Sequence, residues 1–164
     1  MWIIWIATAM ISLTGFYSVA NQVRSPVSVT TNSAALAASM AIYRTAVVTY
    51  LQANPGFLGP RVSDANVDLT LRSRYPRNPI WTNYIAPDQT IYIYASTLPP
   101  VDIAADIAGL SKNSILAGRA NTTTNRLESA VFPNTTQSLL LPNIPPLAAP
   151  PIPNGSPVWL AYRN

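Results

Sequence analysis

The chain has 164 residues, enough for one ordinary domain and a short appendage. Hydrophobic residues make up 49% of it and charged residues only 10%, against roughly 25% charged in an average soluble domain, a balance typical of exported proteins. The net charge of +4 is spread along the chain, so a nucleic-acid partner is not supported. The lack of Cys and His excludes thiolate and imidazole metal ligands, Cys nucleophiles and His-dependent triads.

The first twenty residues carry no charged side chain. As a helix rising about 1.5 Å per residue, they would span a hydrocarbon core of about 30 Å. We therefore predict a transmembrane anchor over residues 1–20, with aromatic rings near both ends at the headgroup level. Its apolar side chains are Trp2, Ile3, Ile4, Trp5, Ile6, Ile11, Leu13, Phe16 and Tyr17.

A cleaved signal peptide is the alternative for this segment. It is less well supported, because no basic region precedes the apolar stretch and the polar exit at Asn21, Gln22 and Val23 offers no clear small-x-small cleavage site. The first basic side chain is Arg24, and the positive-inside rule applied to that one residue would leave the rest of the chain in the cytoplasm.

Residues 21–33 are polar and contain a proline, which predicts a linker that ends at a helix N-cap, Asn32 or Ser33. An amphipathic helix should follow and end at Asn54-Pro55-Gly56. Its buried stripe recurs at spacings of three and four and comprises Leu36, Met40, Tyr43, Val47 and Leu51. A second transmembrane span is disfavoured, because Arg44 near mid-bilayer would cost about 2.5–3.5 kcal/mol.

Five later segments carry secondary-structure patterns. Residues 67–72 alternate apolar and polar side chains and predict a strand, and residues 90–96 predict a second strand with both faces covered, one of them by the helix. Residues 102–110 predict a short helix with Asp102 as a cap candidate. Further strands are expected at 114–121 and 157–164. Residues 34–164 should thus form an exported α+β domain, with the amphipathic helix packed on a small, mainly antiparallel sheet.

Residues 133–157 hold eight of the sixteen prolines. Such a density forbids ladder hydrogen bonds and a helix interior, which leaves extended or polyproline II backbone. The simpler interpretation is a semi-rigid strap across the domain. The functional interpretation is a docking ligand for another envelope subunit.

No motif predicts chemistry. The sequence lacks a phosphate-binding Gly-rich loop, a G-x-S-x-G and an H-E-x-x-H. Asp102 and Asp106 would share a helix face, but charge near a helix N-terminus explains them without catalysis. We expect no enzymatic activity, no catalytic, cofactor-binding or metal-binding residues, no cofactor and no small-molecule substrate.

A segment rich in arginine and aromatic side chains is the candidate partner-contact site, because Arg, Trp and Tyr are enriched at interface hot spots. It comprises Arg72, Arg74, Tyr75, Arg77, Trp81 and Tyr84. An ordinary loop over a sheet edge has the same composition, and the scattered charge disfavours a nucleic-acid surface.

The arrangement of an apolar helix before an exported domain invites comparison with pilins. A prepilin is cleaved after a Gly that precedes its apolar helix, usually with Glu at the fifth position after the cut. Here Gly15 lies near the end of the apolar run, and the fifth residue after it is Ala20. The chain is therefore not a standard prepilin, although the predicted fold is pilin-like in outline.

The segment AIYRTAVVTYLQANPGF, residues 41–57, with Gly59 after it, resembles the signature of the small PilM proteins of conjugative thin (type IV) pilus systems. Supporting matches lie at residues 81–84, 92–94, 118–119 and 153–155. The similarity extends over most of the chain. The actin-like cytoplasmic ATPase of the same name is a different protein and is not similar to this one.

This resemblance implies an inner-membrane protein, single-pass, with its domain in the periplasm, and so reverses the orientation that Arg24 alone would give. It implies a structural or assembly component of the pilus or a related secretion apparatus, with inner-membrane lipid and other pilus subunits as partners; self-association is compatible with it. The alternatives are a minor pilin or pseudopilin-like subunit and, less favoured, a cell-wall-acting enzyme. No site residues are implied by the resemblance.

Overall fold

The computed structural model describes residues 32–71, 76–129 and 151–163. The predicted anchor, nearly all of the linker and most of the Pro-rich segment lie outside these residues. The described helices are α1 (Asn32–Ala53), α2 (Asp64–Leu71) and α3 (Ala104–Leu110). The described strands are β1 (Trp81–Ile85), β2 (Thr90–Ala95), β3 (Ala117–Asn121), β4 (Arg126–Ser129) and β5 (Pro157–Tyr162).

The five strands form one sheet in the order β1-β2-β5-β3-β4, and every neighbouring pair is antiparallel. The C-terminal strand β5 is therefore central, between β2 and β3. Its register against β2 places Leu160 opposite Tyr92 and Val158 opposite Tyr94. The prediction of an α+β fold with a mainly antiparallel sheet is confirmed.

Helix α1 covers one face of this sheet, as its apolar stripe predicts. Four stripe residues are buried, namely Met40, Tyr43, Val47 and Leu51, and Leu36 packs partly buried beside them. They join one core cluster with side chains of the central strands, among them Ile93 and Trp159. Each fully buried side chain of this size stabilises the fold by about 1.5–3 kcal/mol, so α1 and the sheet form one hydrophobic core.

The opposite face of the sheet carries a second buried cluster. Alternation along β2 sends Ile91 and Ile93 toward α1, and Tyr92 and Tyr94 to the other side. All six residues of β2 are buried, which confirms the prediction that both of its faces are covered. The second cluster is completed by Tyr84, Ala86, Ala120, Leu127, Ile152, Val158 and Leu160.

The predicted strand at 67–72 was wrong, because residues 64–71 form helix α2. The backbone carbonyl of Ser63 accepts from the N–H of Val67 at 3.1 Å, and the Ser63 hydroxyl lies 3.4 Å from the N–H of Asn66. Val67 is buried, whereas Leu69 is 79% exposed. The pattern of residues 67–72 fits both structures, because Val67 and Leu71 are also four positions apart and would share one face of a helix. The packing of Val67 in the core therefore decides between helix and strand.

The remaining segments agree more closely with the predictions made from the sequence. Helix α3 is confirmed but begins at Ala104, with Ile103 as its N-cap in place of the predicted Asp102. The carboxylate of Asp102 accepts from the N–H of Ala104 at 3.1 Å just before the helix. Strand β3 begins at Ala117, later than predicted. Strands β1 and β4 were not predicted. Strand β4 lies so close to β3 that a Cβ on Gly118 would collide with the backbone carbonyl of Glu128.

Candidate partner-binding surfaces

The structure divides the predicted arginine-aromatic site. Trp81 and Tyr84 lie in β1 with 1% and 8% of their surface exposed, so both side chains are inside the domain. Arg77 lies in the loop before β1. Arg72, Arg74 and Tyr75 lie outside the described residues.

The inward side of β1 is tied to α1 by polar contacts. The indole N–H of Trp81 donates to the Ser39 hydroxyl at 2.8 Å. The side-chain amide of Asn83 donates to the Tyr43 hydroxyl at 2.8 Å and to the Val62 carbonyl at 3.1 Å, and it accepts from the Val62 N–H at 2.8 Å. Because Asn83 is only 1% exposed, these bonds satisfy a buried amide. The aromatic element at residues 81–84 therefore has an architectural role.

Arg77 is held by helix α2. Its guanidinium lies 3.1 Å from the Asp68 carboxylate and 3.5 Å from that of Asp64, and Asp64 also pairs with Arg61 at 2.8 Å. Exposed pairs of this kind contribute about 0–1 kcal/mol each. They fix the loop to α2 and neutralise Arg77, so this arginine offers a partner little unpaired charge.

An uncharged groove runs along the junction of α1 and α2. It has a volume of about 310 Å³ and is lined by Ala41, Ile42, Thr45, Ala46, Thr49, Thr70 and Leu71. A smaller cavity of about 110 Å³ shares Ile42 and Leu71 with it and is bordered by Pro76 and Arg77. The groove suits aliphatic material, and its lining holds no acidic or basic side chain; its polar groups are the hydroxyls of Thr45, Thr49 and Thr70.

A second cleft lies between the loop after α1 and the β1–β2 turn. Its volume is about 240 Å³, and Phe57, Pro60, Tyr84 and Pro87 are among the lining residues. Leu58 also lines it, with 90% of its surface exposed.

The chain end holds that loop in place. The guanidinium of Arg163 donates to the carbonyls of Phe57 at 2.7 Å and Asn54 at 2.9 Å, to the carbonyl of Pro55, and to the Gln89 side chain at 3.2 Å. Arg163 therefore joins the C-terminus of α1 to the β1–β2 turn.

The carboxylates of the described residues are largely engaged in structural contacts. Asp102 pairs with Arg119, and Glu128 accepts from the Asn121 amide at 2.7 Å. Within residues 32–71, 76–129 and 151–163, no three Asp or Glu side chains cluster closely enough to hold a metal ion. Asp64, Asp68, Asp102 and Glu128 thus contact neighbouring side chains instead of converging on a cleft.

Sequence reasoning missed Arg163, Asn83 and the α1–α2 groove. A polar Asn flanked by large apolar residues in WTNYI was the available signal for a buried amide. The groove had no local signal, because it exists only once residues 64–71 form a helix.

The described residues define a class of protein: an α+β domain with a long helix on one face of a five-stranded antiparallel sheet. A family model, PilM, matches residues 8–160. The chain therefore belongs to the PilM family of conjugative pilus proteins, as residues 41–57 indicated.

A solved structure supports the fold. It is the crystal structure of a protein called PilM from Escherichia coli B7A, which is 19% identical to this chain with a TM-score of 0.53. The likeness covers 80% of this chain and 93% of that one. At this level of identity it shows a shared fold. None of the curated proteins compared matches the chain.

Proposed function

We propose that this protein is a non-enzymatic, inner-membrane component of a conjugative thin (type IV) pilus apparatus. Residues 1–20 anchor it, residues 21–33 set its reach, and the domain acts in the periplasm through contacts with other subunits. One observation carries this proposal: the family match begins at residue 8, inside the uncharged N-terminal segment, and runs to residue 160 in β5. The apolar segment and the domain are therefore matched as one unit.

The geometry supports contacts more than chemistry. The larger surface clefts are lined mainly by aliphatic, aromatic, proline and threonine side chains, and carboxylates pair with arginines elsewhere. A catalytic cleft would need titratable groups converging on a substrate. The second cleft, with the exposed Leu58, suits subunit contacts.

Two measurements test the proposal. The first is protease digestion of spheroplasts that express the full chain with a tag after Asn164. We expect a full-length, membrane-bound protein whose domain is digested from outside. Protection of the tag would place the domain in the cytoplasm and contradict the proposed topology.

The second is a non-polar gene deletion in a conjugative plasmid, with transfer frequency and surface pili as readouts. We expect loss of both and rescue by the wild-type chain. As a matched pair, a Leu58→Asp variant should fail to rescue, because it places a charge in the second cleft, whereas Leu58→Met should rescue. Normal pili in the deletion strain would contradict an assembly role.

A minor pilin or pseudopilin-like subunit is the second candidate, favoured by the packing of α1 on the antiparallel sheet. N-terminal sequencing of the mature protein separates the two. Cleavage behind Gly15 would support a pilin-like subunit, and an intact N-terminus supports the anchored component.

A further inference from the structure

The outward face of α1 is more apolar than its packing in the domain requires. By length and composition α1 could cross a membrane. The core helix of a soluble domain can meet the same criterion, but such a helix is mostly buried. In α1 only 33% of the most apolar stretch is buried. Exposed positions along it are Ala35, Ala38, Ile42, Thr45 and Thr49. The solvent face of a globular domain's helix normally carries charged residues. This face carries none.

The single charged residue of α1 is turned the other way. The guanidinium of Arg44 lies 5.0 Å from the ring centre of Trp159 and 3.5 Å from the Leu160 carbonyl, both on β5. A cation over an indole face is stabilised by the ring quadrupole. The charge therefore lies against the sheet, and the outward side of α1 stays uncharged over its whole length.

Two of the three threonine hydroxyls that line the groove bond back to their own helices. The Thr45 hydroxyl donates to the Ala41 carbonyl at 2.9 Å, and the Thr70 hydroxyl in α2 donates to the Asn66 carbonyl at 2.9 Å. A hydroxyl bonded in this way can leave water at a much smaller cost than a free one. The groove walls thus tolerate a low-dielectric environment.

The length of the chain between the proposed anchor and α1 limits how far this face can lie from the membrane. Residue 31 directly precedes Asn32, the first residue of α1, and residues 1–20 are the proposed anchor. Residues 21–31 can span at most about 36–40 Å. If the anchor is in the bilayer, the N-terminus of α1 is held within that distance of the membrane surface.

We propose that the outward face of α1, with the α1–α2 groove, lies against the lipid bilayer at the boundary between headgroups and acyl chains. Ile42 and Leu71 contact acyl chains, and the self-bonded Thr45 and Thr70 sit at the polar boundary. Interfacial helices bury their apolar face about 5–10 Å into this region. The inference rests on the proposed anchor, because only the anchor holds this face near lipid.

The absence of cysteine allows a direct test with single spin labels. The variants are Ile42→Cys and Thr45→Cys on the face, with Thr124→Cys in the exposed β3–β4 turn as the matched control. Each full-length variant is labelled and reconstituted in phosphatidylcholine–phosphatidylglycerol vesicles. Power saturation then compares the accessibility of the label to oxygen, which partitions into lipid, and to a water-soluble nickel chelate.

We expect an oxygen-to-nickel accessibility ratio several-fold higher at positions 42 and 45 than at 124. Equal ratios at the three positions would place the face in water and overturn the inference. Exclusion of both reagents at positions 42 and 45 would mean that a second copy covers the face, which would also overturn it.

Flotation of the same vesicles separates this inference from the proposed function. If all variants float but the labels at positions 42 and 45 are exposed to water, the membrane anchor is supported and only the contact of α1 with lipid is refuted. Failure to float would refute the anchor, and the inference with it. Circular dichroism of each variant must match the unsubstituted chain, which shows that the labels leave the helices intact.

Discussion

The side-chain amide of Asn83 on β1 donates to the phenolic oxygen of Tyr43 on α1 at 2.8 Å, inside the core. The same amide pairs with both backbone groups of Val62. One buried side chain therefore joins the long helix, the edge strand and the segment that leads into α2.

Replacement of Asn83 by Leu should be strongly destabilising. It leaves the buried Val62 N–H and the Tyr43 hydroxyl without this partner, and each orphaned group costs about 1–3 kcal/mol. We expect the free energy of unfolding of the full chain in mild detergent to fall by about 2–5 kcal/mol in urea titrations. Thr124→Leu, in an exposed turn, is the control and should change stability little; equal losses in the two variants would contradict the role of the amide.

The β3–β4 pair should not accept a side chain at Gly118. An added Cβ collides with the Glu128 carbonyl, so Gly118→Ala must push β4 away from β3. We expect a loss of about 1–3 kcal/mol, the usual range for overpacking, and a lower midpoint of thermal unfolding. Gly109→Ala in α3 meets no atom within 4 Å and should be neutral or stabilise by about 0.5–1 kcal/mol. If both variants lower the midpoint equally, the close approach of the strands is wrong.

Helix α2 predicts different effects at two neighbouring apolar positions. Val67→Asp buries a carboxylate in the core and should cost about 3 kcal/mol or more, whereas Leu69→Asp changes a side chain that is 79% exposed and should stay within about 0.5 kcal/mol. A strand at 67–72 would place both residues on one face and make the two losses similar. Urea unfolding of both variants distinguishes the helix from the strand.

The buried tyrosines predict a loss of stability at high pH. Burial raises the pKa of Tyr94 to about 12, and burial also raises the pKa of Tyr92 above the ordinary value near 10. A raised folded-state pKa contributes stability that is complete below pH 10 and is lost as the pH rises from about 10 toward 12. The unfolding free energy should therefore fall across this window.

Tyr94→Phe tests this cause, because it removes one of the titrating groups. The decline in unfolding free energy between pH 10 and 11.5 should become shallower in the variant than in the unsubstituted chain. Identical slopes would show that another group controls the alkaline transition.

Residues with a long, repeated pattern were predictable from the sequence. The stripe from Met40 to Leu51 repeats over three turns and fixes α1 and its buried side, and the alternation of Ile91 to Tyr94 fixes β2 and both of its faces. In these segments the local pattern and the tertiary packing agree, so the sequence alone identifies the type of secondary structure and its buried face. Residues 41–57 also indicate the family.

Only the tertiary structure decided the elements whose local pattern fits two answers. The sequence of residues 64–71 is compatible with a strand or a helix, and the burial of Val67 in the core selects the helix. Trp81 and Tyr84 have the composition of a contact surface, yet they are buried because Asn83 and Val62 hold β1 against the rest of the domain. The α1–α2 groove is formed by residues more than twenty positions apart. The physical reason is that burial energy depends on which segments meet, and a short pattern does not contain that information.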